Sequence, residues 1–279
     1  MIQTEMVSSN RKYVMLSFDT EEFDIPCEYG YKMPLEDQVT LSVYGLNVIL
    51  DILSEKKIKA TFFCTTNFAI IAPNIIRRII TDGHEVASHG CNHTNPKSED
   101  IPKSKKKLEE MFGVSILGYR QPRMQKPSIG DVQKEYMYDA SLNPTVIPGR
   151  YLNIKKTKTI HKKNGLIIIP ASVSPYFRIP LFWLSLHHFP LFIYKFLLKR
   201  TLTHDGYFNT YFHPWEFIDL SKFSKLPYII KHNTGEQMTL RLMHIIDYLK
   251  QCEVEFITYS EMAMIHEKYY EIKCDNSML

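Results

Sequence analysis

Short, continuously apolar runs alternate with amphipathic stretches from Tyr13 almost to the end of the chain. A strand buried on both faces reads as an unbroken apolar run, and the helix covering it shows one apolar stripe, so this rhythm predicts an α/β fold on a parallel sheet. Residues 13–18 form the first strand-like run, 41–53 carry helical spacing, and 58–63 begin a second strand. Residues 75–80 read as a short helix closed by Asp82 and Gly83, followed by a third strand over 85–88 and a Lys-rich helix. Further strands are expected over 116–120, 166–170, 208–212 and 255–258, with helices over 127–136, 239–249 and 259–266. Residues 145–163 show no clean period, which leaves the strand number open. With 279 residues, 44% of them hydrophobic, the chain can bury one barrel-sized core. The domain is taken as 13–268, with an N-terminal extension over 1–12 and a tail over 269–279.

The polar exceptions to this pattern fall at strand ends. Asp19, His89, Arg120 and His213 each follow an apolar run directly, and in parallel α/β barrels the reactive groups gather at the carboxyl ends of the strands. His89 and His93 are four apart, a spacing that suits two imidazole ligands of one divalent ion. Taken alone, the pair reads equally well as two solvated loop histidines. The run from Ser17 to Asp24 holds four carboxylates, Asp19, Glu21, Glu22 and Asp24, which would repel one another unless a cation or separate roles kept them together. A third ligand is therefore available next to the first strand.

Composition excludes several classes. Net charge is +4, from 34 basic and 30 acidic residues, a mild excess read as spread along the chain, so no nucleic-acid partner is expected. The cluster Lys103-Ser104-Lys105-Lys106-Lys107 reads as the solvated face of a helix. Five scattered cysteines without a Cys-x-x-Cys pair resemble neither a disulfide framework nor a thiolate zinc site. With no apolar leader before residue 13, a cytoplasmic location is expected. Residues 181–198 are nearly as long as a membrane span, but His187, His188, Pro190 and Lys195 interrupt them. A buried helix pair or an apolar flap is expected there instead of a transmembrane segment, and contact with a membrane surface or a lipid-linked substrate stays open.

Several elements together carry a family resemblance: Phe-Asp ending the first strand, Gly83-His84-Glu85-Val86-Ala87-Ser88-His89-Gly90 with His93, Tyr119-Arg120-Gln121-Pro122, Tyr138-Asp139-Ala140-Ser141, and Tyr211-Phe212-His213-Pro214-Trp215-Glu216. In order and spacing they resemble the polysaccharide deacetylases of the NodB-homology type, in the branch with Asp-x-Glu and His-Pro-Trp-Glu elements linked to surface-glycan genes. The resemblance implies a deformed, TIM-like (β/α) barrel of seven or eight strands. It also implies a divalent metal, zinc first and cobalt or nickel as alternatives, bound by one carboxylate and two histidines, His89 and His93. The usual family pattern has a second aspartate where this chain has Thr20, so the third ligand shifts to Glu21, with Glu22 and Asp24 as substitutes. Asp19 corresponds to the general base, Arg120 to the arginine that pairs with it, His213 to the general acid, and Asp139 to the carboxylate that orients that acid. The family's glycine after the arginine-proline element has no counterpart here, where Arg123 and Met124 follow.

The activity so implied is hydrolysis of an N-acetyl group from a sugar or polysaccharide precursor, with metal-activated water. Two other readings accompany it: hydrolysis of another amide, such as a cyclic imide or ureide, and a degenerate barrel that binds glycans without cleaving them. Tyr176 and Arg178 are the candidate groove residues, since sugar rings stack on aromatic faces. His187 and His188 read as structural histidines, and Trp215 and Glu216 as packing and capping residues. The sequence carries no sign of oligomeric state.

Overall fold

The structure, a computed structural model, describes residues 11–147 and 151–276. Residues 1–10 of the expected extension and 277–279 of the expected tail lie outside the described residues. The strands are β1 (Lys12–Thr20), β2 (Thr61–Cys64), β3 (Glu85–Ser88), β4 (Gly118–Tyr119), β5 (Tyr138–Asp139), β6 (Val146–Ile147), β7 (Tyr151–Leu152), β8 (His161–Lys163), β9 (Leu166–Ile168), β10 (Tyr207–Phe212) and β11 (Val254–Phe256). The helices are α1 (Ile25–Glu28), α2 (Leu35–Lys56), α3 (Thr66–Ile71), α4 (Pro73–Thr81), α5 (Asp100–Phe112), α6 (Ile129–Glu135), α7 (Trp183–His188), α8 (Leu191–Asp205), α9 (Tyr228–Lys231), α10 (Glu236–Gln251) and α11 (Tyr259–Asn276).

The main sheet runs in the order β10-β1-β2-β3-β4-β5-β9-β8, with β11 paired to the start of β1. All its pairings are parallel except that of β8 with β9. This is the α/β barrel expected, curled but incompletely hydrogen-bonded: among the described residues no backbone ladder joins β9 to β10. Asn209 bridges that gap with its own polar atoms. Its backbone N–H donates to Ser172 Oγ at 3.0 Å, its Oδ1 accepts from Ser172 N at 3.0 Å, and its Nδ2 donates to the Pro170 carbonyl at 2.9 Å.

Side chains alternate across each strand. Val14, Leu16 and Phe18 of β1 face the helices and join a core with Leu46, Ile49, Phe62 and Leu242. Met15 packs inside the barrel with Phe63, Tyr138, Ile167 and Tyr259. Ser17 and Asp19, two and four residues further on, share that inner face. The register then aligns the reactive positions: Phe18 pairs with Phe212, Ser88 with Tyr119, and Tyr119 with Asp139. Asp19, His213, His89, Arg120 and Asp139 therefore stand at one level, the carboxyl end of the sheet.

Two close approaches require glycine. A Cβ on Gly118 would lie 1.8 Å from the Tyr138 ring, and one on Gly45 of α2 would lie 1.9 Å from the Pro214 carbonyl oxygen. The second contact presses α2 against the turn that follows β10.

The elements match the expected rhythm with local differences. The strand expected over 116–120 contracts to Gly118–Tyr119, and residues 138–139, read only as a motif, form β5. Residues 145–163 lack a period because they hold the short antiparallel pair β6-β7 and the edge strand β8, with β6 and β8 only partly buried. Helix α11 runs to Asn276, through most of the expected tail. The long apolar segment is a helix pair, α7 and α8, broken at Pro190. Among the described residues no helix is long and apolar enough to cross a membrane.

Candidate active site and metal centre

Past the end of β1 the chain turns inward at Glu21, which is 1% exposed. Its Oε2 lies 3.1 Å from His89 Nε2 and 3.4 Å from His93 Nε2. The three ligand atoms fall within 4.8 Å of one another. Both imidazoles are oriented from behind. His89 Nδ1 donates to the Arg120 carbonyl at 2.7 Å, and His93 Nδ1 faces the Asp24 carboxylate at 3.0 Å. A proton on Nδ1 leaves each Nε2 lone pair directed at Glu21. Glu21 Oε2 is itself buried without a hydrogen-bond partner. Burial drives this carboxyl well above its ordinary range, with His93 opposing and Asp19, Asp24 and Glu22 adding. Two imidazole nitrogens and an unpartnered buried oxygen around one point could hold a divalent cation. Glu22 and Asp24, the other candidate ligands, are engaged elsewhere: Glu22 accepts from Thr65 at 2.8 Å, and Asp24 supports His93 and Thr94.

Asp19 lies beside this cluster, its Oδ2 3.9 Å from both His89 Nε2 and His213 Nε2. Arg120 donates to its other oxygen at 2.5 Å. The guanidinium also donates to Ser17 Oγ at 3.0 Å and Tyr259 Oη at 3.2 Å, and its carbon sits 3.9 Å from the centre of the Phe63 ring. Burial pushes Asp19 up, but Arg120, His89 and His213 outweigh it and hold the carboxyl below its ordinary value. The carboxylate is thus ionised and held through one oxygen by Arg120.

His213 ends β10, and its partner corrects the sequence reading. Its Nδ1 lies 2.8 Å from Glu216 Oε1, which also accepts the His213 backbone N–H at 2.6 Å. The four-residue turn Pro214–Phe217 brings Glu216 back under His213. Asp139, expected in this role, instead accepts hydrogen bonds from the Ser141 hydroxyl and backbone, and burial raises it to about 6. Glu216 therefore both caps the turn and fixes the orientation of the His213 ring.

His187, read as structural, completes the arrangement. Its Nε2 lies 3.0 Å from Glu216 Oε2 and its Nδ1 lies 2.7 Å from the His232 carbonyl. A carbonyl only accepts, so Nδ1 carries a proton and Nε2 of the neutral ring is an acceptor. Burial pushes Glu216 up to about 7 and His187 down to about 4. Between those values the proton of this contact resides on Glu216. The sequence held the signal for Glu216, in the i, i+3 spacing of His-Pro-Trp-Glu, but none for His187, which arrives from a distant helix.

These groups open into a cleft of about 340 Å³. Phe182, Trp183 and Tyr211 form one side, and Trp215 stacks on His213 with centroids 5.1 Å apart. Arg123 and Met124 also line the cleft, with φ of 58° and 51°. They adopt the left-handed conformation that favours glycine, here in two residues that are not glycine. Pro122 begins a 3-10 turn there. Tyr176 and Arg178, the expected groove residues, lie outside the cleft. Tyr176 packs on His204, and Arg178 donates to the Asn153 and Lys156 carbonyls.

Comparison with known proteins follows the same lines. The family profile for polysaccharide deacetylases matches residues 7–143, just under half of the chain. A chitooligosaccharide deacetylase of Sinorhizobium fredii is 44% identical over 45 residues, 16% of this chain and 21% of that protein. A peptidoglycan-N-acetylglucosamine deacetylase of Bacillus cereus is 34% identical over 87 residues, 30% of this chain and 31% of that protein. The chain spans between a fifth and a third of the length of the curated relatives it matches. A Mycobacterium smegmatis protein assigned to the polysaccharide deacetylases superposes with a TM-score of 0.63 at 19% identity, covering 92% of this chain and 91% of that one. An allantoinase superposes with a TM-score of 0.61 at 14% identity, covering 90% of this chain and 89% of that one. These likenesses establish the fold.

Proposed function

We propose, since residues 7–143 of this chain match the polysaccharide deacetylase family, that it is a metal-dependent hydrolase removing the N-acetyl group from an amino sugar or a polysaccharide precursor. The observation that carries the proposal is the buried, unpartnered Glu21 Oε2 facing two imidazole lone pairs, with an ionised Asp19 alongside. A divalent cation held by Glu21, His89 and His93 would polarise an acetamide carbonyl and make water a stronger nucleophile; zinc suits two nitrogens and a carboxylate. Asp19, clamped by Arg120 through one oxygen, offers the other to take the proton from water. His213, with its Nδ1 held by Glu216, presents Nε2 3.9 Å from Asp19 Oδ2 and donates a proton to the leaving amine. The aromatic wall of Phe182, Trp183 and Tyr211 offers stacking faces to a sugar ring. Thr20, where the family commonly has aspartate, does not imply a degenerate site, because Glu21 one residue on supplies the carboxylate.

The test is purified protein assayed with added zinc against N-acetyl sugars, nucleotide sugars and cyclic imides, together with metal analysis. Release of acetate from an N-acetyl sugar, with one divalent ion per chain, is the expected result. Turnover of imides alone would transfer the same machinery to the other amide class, and absence of any bound metal would overturn the proposal.

A further inference from the structure

Charge is more segregated than the net value suggests. Residues 140–204 contain none of the chain's 30 Asp and Glu and ten of its 34 Lys and Arg. The same stretch carries exposed aromatic side chains that nothing in the active site uses. Tyr176 is 71% and Phe177 79% exposed, while Phe192 and Phe196 of α8 are 73% and 61% exposed. Phe192, Phe196, Lys199 and Arg200 follow at spacings of three and four and so share one face of the helix. Tyr176, Phe196, Lys199 and Arg200 meet around one shallow depression whose lining includes no acid and no residue of the catalytic cleft.

The aromatic tip is built to stay in place. The Arg178 N–H donates to the Ser174 carbonyl at 3.2 Å, and Ser174 N donates to the Ile179 carbonyl at 2.9 Å, which pushes Pro175, Tyr176 and Phe177 outward. Lys158 Nζ donates to the Pro175 carbonyl at 2.8 Å, and Arg178 holds the carbonyls of Asn153 and Lys156. This brings the loop with exposed Ile154, Lys155 and Lys156 against the tip. Among the described residues Lys155, Lys156, Lys199 and Arg200 form no ion pair.

We propose that this face, formed by the 174–178 tip and the outer side of α8, docks on an anionic lipid surface. Protruding aromatic rings amid cations match an interface where the rings enter the boundary between headgroups and chains while Lys and Arg meet lipid phosphates. Four large aromatic side chains held in water on adjoining elements exceed the scattered single exposures of an ordinary surface. The inference does not depend on the hydrolytic reading, because the two regions share no lining residue.

Sedimentation of the full chain with vesicles of phosphatidylcholine, alone or mixed with phosphatidylglycerol, tests it. The chain should pellet with the mixed vesicles, weakly with the neutral ones, and less as salt is raised. The K199E/R200E pair should weaken binding by at least about 25-fold, from roughly fivefold for each cation lost before the repulsion of the added carboxylates. The F177S/F196S pair should weaken it at least tenfold or so. All four side chains are exposed, so thermal unfolding of both variants should match wild type. Equal pelleting with neutral and mixed vesicles, or no pelleting, overturns the proposal. So does aromatic substitution without effect, which would leave only a charge that a nucleic acid could equally meet. A wild-type dimer that F177S/F196S disperses would assign the face to a second copy of the chain and likewise overturn it.

Discussion

Replacing Glu216 by glutamine, and separately His187 by glutamine, should give the protein opposite pH dependences of stability. Native Glu216 keeps its proton up to about 7 and native His187 gives its proton up at about 4. In the unfolded chain a glutamate ionises near 4.3 and a histidine near 6.5, so between those values the unfolded pair also holds about one proton, on the histidine. Native and unfolded pairs then bind equal numbers of protons, and the pair adds almost no slope to stability there. Glu216→Gln leaves only the depressed histidine. The unfolded state then binds more protons, and stability rises with pH from about 4 to about 6.5, by up to about 3 kcal/mol at roughly 1.4 kcal/mol per unit. His187→Gln leaves only the raised carboxyl. The native state then binds more protons, and stability falls by a similar amount from about pH 4.5 to about 7. Burial is the largest cause of both shifts and survives both substitutions. Glutamine at 216 can still accept from His213 and donate to His187 Nε2, so the folded geometry persists. Urea unfolding of wild type and both variants between pH 4.5 and 7.5 measures the slopes. Parallel profiles in all three proteins, or slopes of the reverse sign, would refute the placement of the proton on Glu216.

Other substitutions follow from the site and its supports. Asp24→Asn should weaken metal binding by about 10- to 100-fold in a calorimetric titration, because it removes the carboxylate behind His93. Asp19→Asn should lower turnover by about 10²- to 10⁴-fold while leaving metal stoichiometry unchanged, since no ligand is altered. Gly45→Ala should cost about 3 kcal/mol or more in denaturant unfolding, because its Cβ would lie 1.9 Å from a backbone oxygen that cannot move alone. Gly130→Ala, in α6 with nothing within 4 Å of the added carbon, should instead be neutral or stabilise by up to about 1 kcal/mol.

Patterns local in the chain are legible from residue order alone. The rhythm of apolar runs suffices for the α/β class, because a strand buried on both faces must be apolar over its whole length. The strand-end position of Asp19, His89, Arg120 and His213 suffices to gather them, since parallel strands in a curled sheet bring those ends to one side. Residue order misleads where a partner is assigned across the sheet. Asp139 lies at the right level yet turns its Oδ1 to the Ser141 hydroxyl and backbone N–H, whereas Glu216 reaches His213 through a single turn. Tyr176 has the chemistry of a groove residue, and the closed 174–178 turn carries it to the flank instead.

Charge shows the same division at a larger scale. The absence of acids between residues 140 and 204 is present in the sequence, but a linear excess acquires meaning only when α8 and the 174–178 tip bring aromatic rings and cations to one face. By itself the sequence determined the fold class, the strand-end residues and the histidine pair, because periodicity and spacing act over a few residues. Tertiary structure alone decided that Glu21 and not Glu22 or Asp24 faces both imidazoles, and that His187 shares a proton with Glu216. Those choices depend on which of several equivalent donors and acceptors burial leaves without water, and burial is a property of the packed chain.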